Sequence, residues 1–258
     1  MSGEIVRYQL RYPAAIITLD SPQTRNALSI AMVEALDAAI ERADKDPRVR
    51  AIIFTAEGPA FCAGMDLQEL RAALAPDHDG AWTGALRGEQ LIDRIYRLST
   101  PTIAAVNGVA AGGGAGLLSA CDMAVAAPEA RIGYPEMKVG IQSAMVLLHL
   151  MRLVGERQAR YLALTGELIP AMRAREMGLI NEVVPKDQLI ATALQWAGLV
   201  AMNEPKAEAL SKTLLRKFST QAAAMTASDY GETPALTDDC RAGLEAFFAK
   251  RPVPWAPR

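Results

Sequence analysis

Between Val106 and Asp122 the chain reads Val106-Asn107-Gly108-Val109-Ala110-Ala111-Gly112-Gly113-Gly114-Ala115-Gly116-Leu117-Leu118-Ser119-Ala120-Cys121-Asp122. The apolar run before it, Thr102–Val106, has the make-up of a buried strand, and the three consecutive glycines lead into helical spacing through Leu117 and Leu118. Glycines let the backbone adopt positive φ and let a ligand approach closely. The first turn of a helix adds unpaired N–H groups at its positive dipole end. A strand, tight turn and helix start in this order can hold negative charge. A P-loop would need Gly-x-x-x-x-Gly-Lys-Ser/Thr, and no Gly-Lys pair follows. A dinucleotide fingerprint would need a third glycine where Leu117 or Ser119 stands, counting from Gly112 or Gly114. Two readings remain, a site for a developing oxyanion and a purely structural turn.

The elements that position this turn follow from periodicity. Residues 5–10 alternate beside the apolar run Ala14–Leu19, which predicts an opening hairpin. Ser29 caps a helix with apolar positions Ile30, Val33, Leu36 and Ile40, stopped by Asp46-Pro47. Residues 49–55 read as a buried strand, followed by Glu57-Gly58-Pro59 and a second glycine turn, Phe61-Cys62-Ala63-Gly64-Met65-Asp66-Leu67, before a helix over 67–74. Residues 76–84, with Asp77, His78, Asp79 and Gly80, have loop composition, and 86–98 resume helical spacing. A third buried strand covers 123–127, and 131–136 approach the same end of the sheet. Short helices are expected over 145–153, 157–164 and 172–177, with a last strand over 181–184. Beyond Pro185 the pattern is all-helical, 189–200, 206–218 and 236–248, the last with a stripe through Leu236, Cys240, Leu244 and Phe247. About seventy residues of amphipathic helix need a partner surface, either the main domain or another subunit.

Composition narrows the class. In 258 residues, 51% are hydrophobic and 22% charged, which suits a globular protein with a large core. With 27 basic and 29 acidic residues the net charge is -2, so no basic field recommends nucleic acid or an anionic membrane as partner. Cys62, Cys121 and Cys240 lack metal-site spacing, which predicts reduced thiols and no metal. The start, Met1-Ser2-Gly3-Glu4, carries no basic n-region and no apolar run reaches membrane-spanning length, so a cytoplasmic protein is expected.

The two glycine turns, taken with other segments in order, resemble the crotonase superfamily, the enoyl-CoA hydratase/isomerase family. The segments are Asn26-Ala27-Leu28, Phe61 to Leu67, Pro101-Thr102-Ile103-Ala104-Ala105-Val106-Asn107-Gly108 with Gly112-Gly113-Gly114, Cys121-Asp122 and Gly133-Tyr134-Pro135-Glu136. Leu164-Thr165-Gly166, Ala174 with Gly178-Leu179-Ile180, and Ala246-Phe247-Phe248-Ala249-Lys250-Arg251-Pro252 complete the series. The resemblance implies an α/β fold, a spiral of repeated ββα units over 1–190 followed by a C-terminal helical trimerisation region over 191–258. It implies a homotrimer or a dimer of trimers (a hexamer), acting on acyl-CoA thioesters, with coenzyme A part of the substrate and no separate cofactor. It places oxyanion-hole donors at the backbone N–H groups of Met65 and Gly113. Coenzyme A contacts fall near Ala63, Asp66 and Leu67, and Phe247 and Lys250 match positions near the nucleotide phosphates, often contributed by a neighbouring subunit. Moving a proton beside a thioester carbonyl puts negative charge on its oxygen, and each preorganised N–H donor stabilises it by about 3 kcal/mol.

Hydratases of that family carry two catalytic glutamates. Here the second falls on Glu136 and the first on Gly116, where the lost side chain is expected to leave space. Water, a carboxylate supplied from residues 66–98 or an acyl tail are its expected occupants. One carboxylate suffices for an isomerase, which moves a proton from C2 to C4, or for a hydratase in which one group activates water and protonates C2. Apolar neighbours Ile132, Met137 and Val139 would raise the pKa of Glu136 if they bury it. The tail Gly140-Ile141-Gln142-Ser143-Ala144-Met145-Val146 leans towards hydration of a 2-enoyl-CoA, with 3-enoyl to 2-enoyl isomerisation as the alternative. A non-catalytic acyl-CoA binding protein is a third reading from another class. Glu136 also admits a reading as a solvated turn carboxylate. His149 reads as packed core and His78 as solvated. Ser143 lacks the context of a serine nucleophile. Cys62 and Cys121 read as small buried hydrophobes, and Asp122 as a cap or ion-pair partner at the sheet.

Overall fold

The computed structural model describes residues 4–75, 83–220 and 238–252. In chain order its strands are β1 (Val6–Arg11), β2 (Ala14–Leu19), β3 (Ala51–Ala56), β4 (Ala60–Cys62), β5 (Thr102–Val106), β6 (Val109–Ala111), β7 (Met123–Ala126), β8 (Arg131–Gly133), β9 (Leu168–Pro170) and β10 (Glu182–Val183). The helices are α1 (Ile30–Lys45), α2 (Leu67–Ala73), α3 (Gly84–Arg97), α4 (Gly113–Ala120), α5 (Ala144–Thr165), α6 (Ala171–Glu176), α7 (Leu189–Ala201), α8 (Pro205–Thr220) and α9 (Asp238–Phe248). The strands form two sheets, ordered β1-β2-β3-β5-β7-β10 and β4-β6-β8-β9. Among the described residues only the pairs β1–β2 and β8–β9 are antiparallel. A long strand of the first sheet is followed within a few residues by a short strand of the second and then by helix, in β3-β4-α2, β5-β6-α4 and β7-β8-α5. That is the repeated ββα unit.

Parallel strands covered on both faces read as unbroken apolar runs, and all six residues of β3 are buried. The pleat sends Ala51 and Ile53 to one face with Ile16, Ile103 and Val125, where Leu189, Ala193 and Ala197 of α7 cover them at helical spacing. Ile52 and Phe54 point the other way, into the core formed with Val33, Leu36 and Ile40 of α1 and Leu91 and Ile95 of α3. The first helix of the C-terminal region thus packs on the main sheet of its own chain. The next is tied down by ion pairs. Arg50 reaches Glu208 at 2.9 Å and the carbonyls of Ala201 and Asn203, while Lys212 reaches Asp122 at 2.6 Å and the Thr100 carbonyl. Asp122 also accepts from the backbone and hydroxyl of Thr102, which makes it a partner at the sheet as its position suggested.

The opening hairpin, the Ser29 cap and the buried strands lie where periodicity put them. The strands β4, β6 and β9 were not expected, because three residues are too few for alternation to show. The helices expected over 145–153 and 157–164 run as one element whose helical backbone is interrupted at Gly155 (φ 73°, ψ 165°). The loop expected over 76–84 gives way to α3 at Gly84, and its residues 76–82, with His78, lie outside the described residues. The stripe on α9 needs correction. Leu244 is buried, but Phe247 is 53% exposed and Phe248 packs inward instead, beside Leu67 and Leu70. Leu236 and the side chain of Cys240 lie outside the described residues.

Buried Asn26 organises the loop before α1. Its Oδ1 accepts from Ser21 N at 2.7 Å and its Nδ2 donates to the carbonyls of Glu57 and Ala60, each at 2.9 Å. Asn26→Ala leaves these three groups without a partner, and each costs about 1–3 kcal/mol when buried. A net loss of about 3 kcal/mol is expected, lowering the midpoint of a thermal melt by roughly 6–12 °C for a chain of this size. A shift below about 2 °C would show that the loop does not depend on these bonds.

Candidate active site

The parallel register of β4 and β6 brings both glycine turns out at one edge of the second sheet. After β4 the chain turns at Gly64 (φ 86°), and after β6 at Gly112 (φ 55°), both in the left-handed region that side chains rarely enter. A Cβ on Gly64 would lie 2.6 Å from the Ala111 carbonyl oxygen and 2.9 Å from Gly113 N. The turns therefore meet through bare backbone. Leu28 N donates to the Gly64 carbonyl at 2.7 Å and holds the first turn in place. A Cβ on Gly113 would stand 3.8 Å from Met65 N, so the two amides are neighbours. Gly113 is the first residue of α4, where no intrahelical acceptor exists. Among the described residues neither the Met65 nor the Gly113 amide donates to a backbone carbonyl.

Glu136 arrives from β8. Gly112 N donates to the Gly133 carbonyl at 2.9 Å, which pins the end of that strand beneath the glycine turn. Tyr134 is buried, with its hydroxyl 2.9 Å from Ser119 Oγ on α4. Pro135, with its preset φ, then starts a short 3-10 turn, Pro135–Val139. The Glu136 carboxyl lies over the start of α4, since a Cβ on Gly112 would be 3.0 Å from Glu136 Oε1. Removal from water pushes its pKa up to about 7, against a smaller opposing effect of its own backbone N–H. The solvated-turn reading of this carboxylate does not hold.

Leu28, Met65, Gly113, Glu136 and Ile141 line one mostly apolar cavity of about 40 Å³, closed on its other side by α3 and α5. Of the residues singled out in the sequence, Met65, Gly113 and Glu136 come together on this wall. Asp66 caps α2, accepting from Gln68 N at 2.8 Å and Glu69 N at 3.1 Å. The amide of Ala63 is spent on the Arg25 carbonyl at 3.0 Å, so only its carbonyl can serve a ligand. Leu67 shares an apolar cluster with Leu70, Val139, Ile141 and Leu244. That cluster seats α9 on α2 of its own chain, assisted by an Arg241 bond to the Leu74 carbonyl. Phe247, edge-on to Phe248 at 5.4 Å, and Lys250 lie at the exposed end of this helix, away from the cavity.

The expected space at Gly116 is absent. A Cβ there would lie 2.8 Å from Val146 Cγ2 and 3.0 Å from Ile92 Cδ1, so α3 and α5 fill the position with hydrocarbon. The cavity continues past them to Glu89 and Ser143, whose hydroxyl donates to Glu89 Oε1 at 2.9 Å and caps α5. Neither residue stood out in the sequence as part of the site. The available signal was the face of α3, where Ala85, Gly88, Glu89 and Ile92 share one side at helical spacing.

His149 is buried edge-on to Tyr96 at 4.8 Å, and desolvation lowers its pKa to about 3, as befits a packed neutral side chain. Burial pushes the Cys62 thiol up to about 12, which makes it inert rather than nucleophilic. Among the described residues no three His, Cys, Asp or Glu side chains gather as metal ligands, and no helix is long and apolar enough to cross a membrane.

Comparison with known proteins agrees with this geometry over the length of the chain. Residues 13–258 match the enoyl-CoA hydratase/isomerase family. The 2,3-dehydroadipyl-CoA hydratase of Escherichia coli (strain K12) is 36% identical over 255 residues, covering 97% of this chain and 97% of that protein. The short-chain-enoyl-CoA hydratase of Clostridium acetobutylicum is 34% identical over 245 residues, 93% and 92% of the two chains. The crystal structure of an enoyl-CoA hydratase/isomerase from Xanthobacter autotrophicus Py2 superposes with a TM-score of 0.82 at 31% identity, covering 96% and 97%. With its ββα spiral and paired glycine turns, the chain belongs to the enoyl-CoA hydratase/isomerase family of enzymes, within the crotonase superfamily.

Proposed function

We propose that this enzyme adds water across the 2,3 double bond of a 2-enoyl-CoA thioester. In this reading the Met65 and Gly113 amides hold the thioester oxygen and Glu136 carries the proton exchanged at C2. The observation that carries the reading is the single cavity wall on which two adjacent backbone amides and one desolvated carboxyl face the same small space. Attack at C3 pushes electrons through the double bond onto the thioester oxygen. Two donors fixed by the fold stabilise that charge without reorganising, and the helix dipole of α4 acts in the same direction. A carboxyl whose pKa lies near neutrality is available at neutral pH both to take up and to release a proton. The two relatives named as hydratases support water addition over double-bond migration.

In the same reading coenzyme A runs along the Ala63–Leu67 backbone, with Phe247 and Lys250 at the phosphate end, and the packing of α9 on α2, in an apolar cluster with Met65 and Leu67, supports it. A homotrimer or dimer of trimers is the proposed assembly. Exposed Leu199 on α7, Met202 just after it, and Leu210 and Leu215 on α8 supply apolar surface for it.

Separate assays with a 2-enoyl-CoA and a 3-enoyl-CoA test the reading. Hydration of the first is expected, and turnover of the second alone would establish the isomerase instead. Glu136→Gln should lower kcat by roughly 10²- to 10⁴-fold, the usual worth of a general acid or base. Binding of acyl-CoA without turnover, unchanged in Glu136→Gln, would mark a non-catalytic binder. Exchange of the C2 hydrogens of a saturated acyl-CoA with D₂O needs the ionised carboxylate. Because burial raises the Glu136 pKa to about 7, the exchange rate should climb about tenfold per pH unit below that value and level off above it. A profile flat from about pH 5 to 9 would show that the exchanging group does not carry the raised pKa expected of Glu136. Lys250→Ala should raise KM about threefold for the coenzyme A thioester and leave that of the corresponding pantetheine thioester unchanged.

A further inference from the structure

Gly116 follows Gly113 by three residues on α4, so it lies on the same face, about 4.5 Å further along the helix axis. Over that face Val146 Cγ2 and Ile92 Cδ1 come within 2.8 Å and 3.0 Å of where a Cβ on Gly116 would stand. Both side chains are buried, and both line the cavity that holds Met65, Gly113 and Glu136. They form a hydrocarbon wall close to one helical turn beyond the Gly113 amide. The way past them ends on the Ser143 bond to Glu89, where an alkyl tail would take polar groups out of water. The cavity itself is small. A dry protein cavity of roughly 150 Å³ takes the six carbons of benzene, so one of about 40 Å³ holds about one or two. A second cavity of about 10 Å³, lined in part by Tyr134, Met137, Leu147 and Ala163, adjoins the first. The two share Glu136, Ile141, Gln142, Ser143 and Val146, which form the partition between them, and Val146 is its member against α4.

We propose that Ile92 and Val146 set the acyl-chain length of the substrate and restrict the site to a short 2-enoyl chain of four carbons. The proposal rests on the hydratase reading above, which puts the thioester carbonyl at the Met65 and Gly113 amides. Counted from there, C1 to C4 spans three C–C bonds of about 1.5 Å each, which brings C4 to the level of the wall. A fifth and sixth carbon would have to displace two side chains that already press on α4. Both are β-branched and sit in helices, where one rotamer is strongly preferred, so neither swings aside at low cost. The partition also shows how the limit is lifted. Cutting Val146 back to alanine joins the two cavities and lets a longer chain run on between Tyr134, Leu147 and Ala163. Chain length is thus set by the same two residues that exclude a side chain from position 116.

Two readouts on the full-length protein test this. One is kcat/KM for hydration of four-carbon and six-carbon 2-enoyl-CoA, and the other is the dissociation constants of the saturated four-carbon and six-carbon acyl-CoA. Each is taken as a ratio between the two chains, so the folded fraction of a variant cancels. The unmodified protein should favour four carbons over six by about tenfold or more in kcat/KM, with the same order in the dissociation constants. Val146→Ala should raise the six-to-four ratio about tenfold, and Ile92→Ala should move it in the same direction. Leu147→Ala enlarges only the second cavity, so by itself it should leave the ratio within about twofold, and it should add to the gain when combined with Val146→Ala. The proposal is overturned if the unmodified protein takes both chains within about threefold, or if neither Val146→Ala nor Ile92→Ala moves the ratio beyond that. A protein that hydrates no 2-enoyl-CoA sinks the hydratase reading, and the ratio of dissociation constants then decides the length assignment by itself. Hydration of both chains alike sinks the length assignment and leaves the hydratase reading standing.

Discussion

Everything at the site depends on how closely Gly64 approaches the backbone of residues 111–113. Two peptide amides can serve one oxygen only if their nitrogens stand a few ångströms apart, and the contacts around Gly64, as short as 2.6 Å to a hypothetical Cβ, leave no room for any side chain. Even alanine would force the turns apart by several tenths of an ångström. That is the scale at which preorganised donors lose their geometry. The parallel pairing of β4 with β6 is what makes the approach possible. In a parallel pair both strands end at the same edge, so the turns that follow them emerge side by side. The longer sheet behind, buried on both faces, gives these short strands a rigid floor.

On this floor the two halves of the site face opposite electrostatic tasks. The amides and the first turn of α4 favour negative charge in the space between them, and no cation stands among the described residues of the wall. Glu136 sits beside them in a setting that disfavours its own ionised form, because apolar atoms replace its water. Near neutral pH neither the protonated nor the ionised form of this carboxyl is strongly preferred. The Gly112 bond to the Gly133 carbonyl joins the two halves, so that the carboxyl and the amides are carried by one hydrogen-bonded piece of backbone.

How much of this was legible in the sequence differs by element. The glycine turns and the strands leading into them were readable because apolar runs and consecutive glycines are local signals, and Gly113 stands at the head of its helix as expected. Strands of three residues such as Val109–Ala111 carry no period and could not be read, although they position the turns. Glu136 was reachable through family resemblance alone. One carboxylate after a proline says little until β8 and Tyr134 orient it. The error at Gly116 has a similar origin. A missing side chain suggests a hole only if its neighbours are ignored, and here they come from helices distant in sequence. Glu89 was hidden for the same reason, since α3 meets α5 only in the folded chain.

The sealing of position 116 also couples it to two other positions. A glutamate placed there alone would collide with Ile92 and Val146, which would first have to shrink. Shrinking them first would open a void in a well-packed interior, at a cost of about 1 kcal/mol or more apiece. The three sites are thus epistatic. A glutamate at position 116 therefore demands smaller side chains at 92 and 146 in the same molecule.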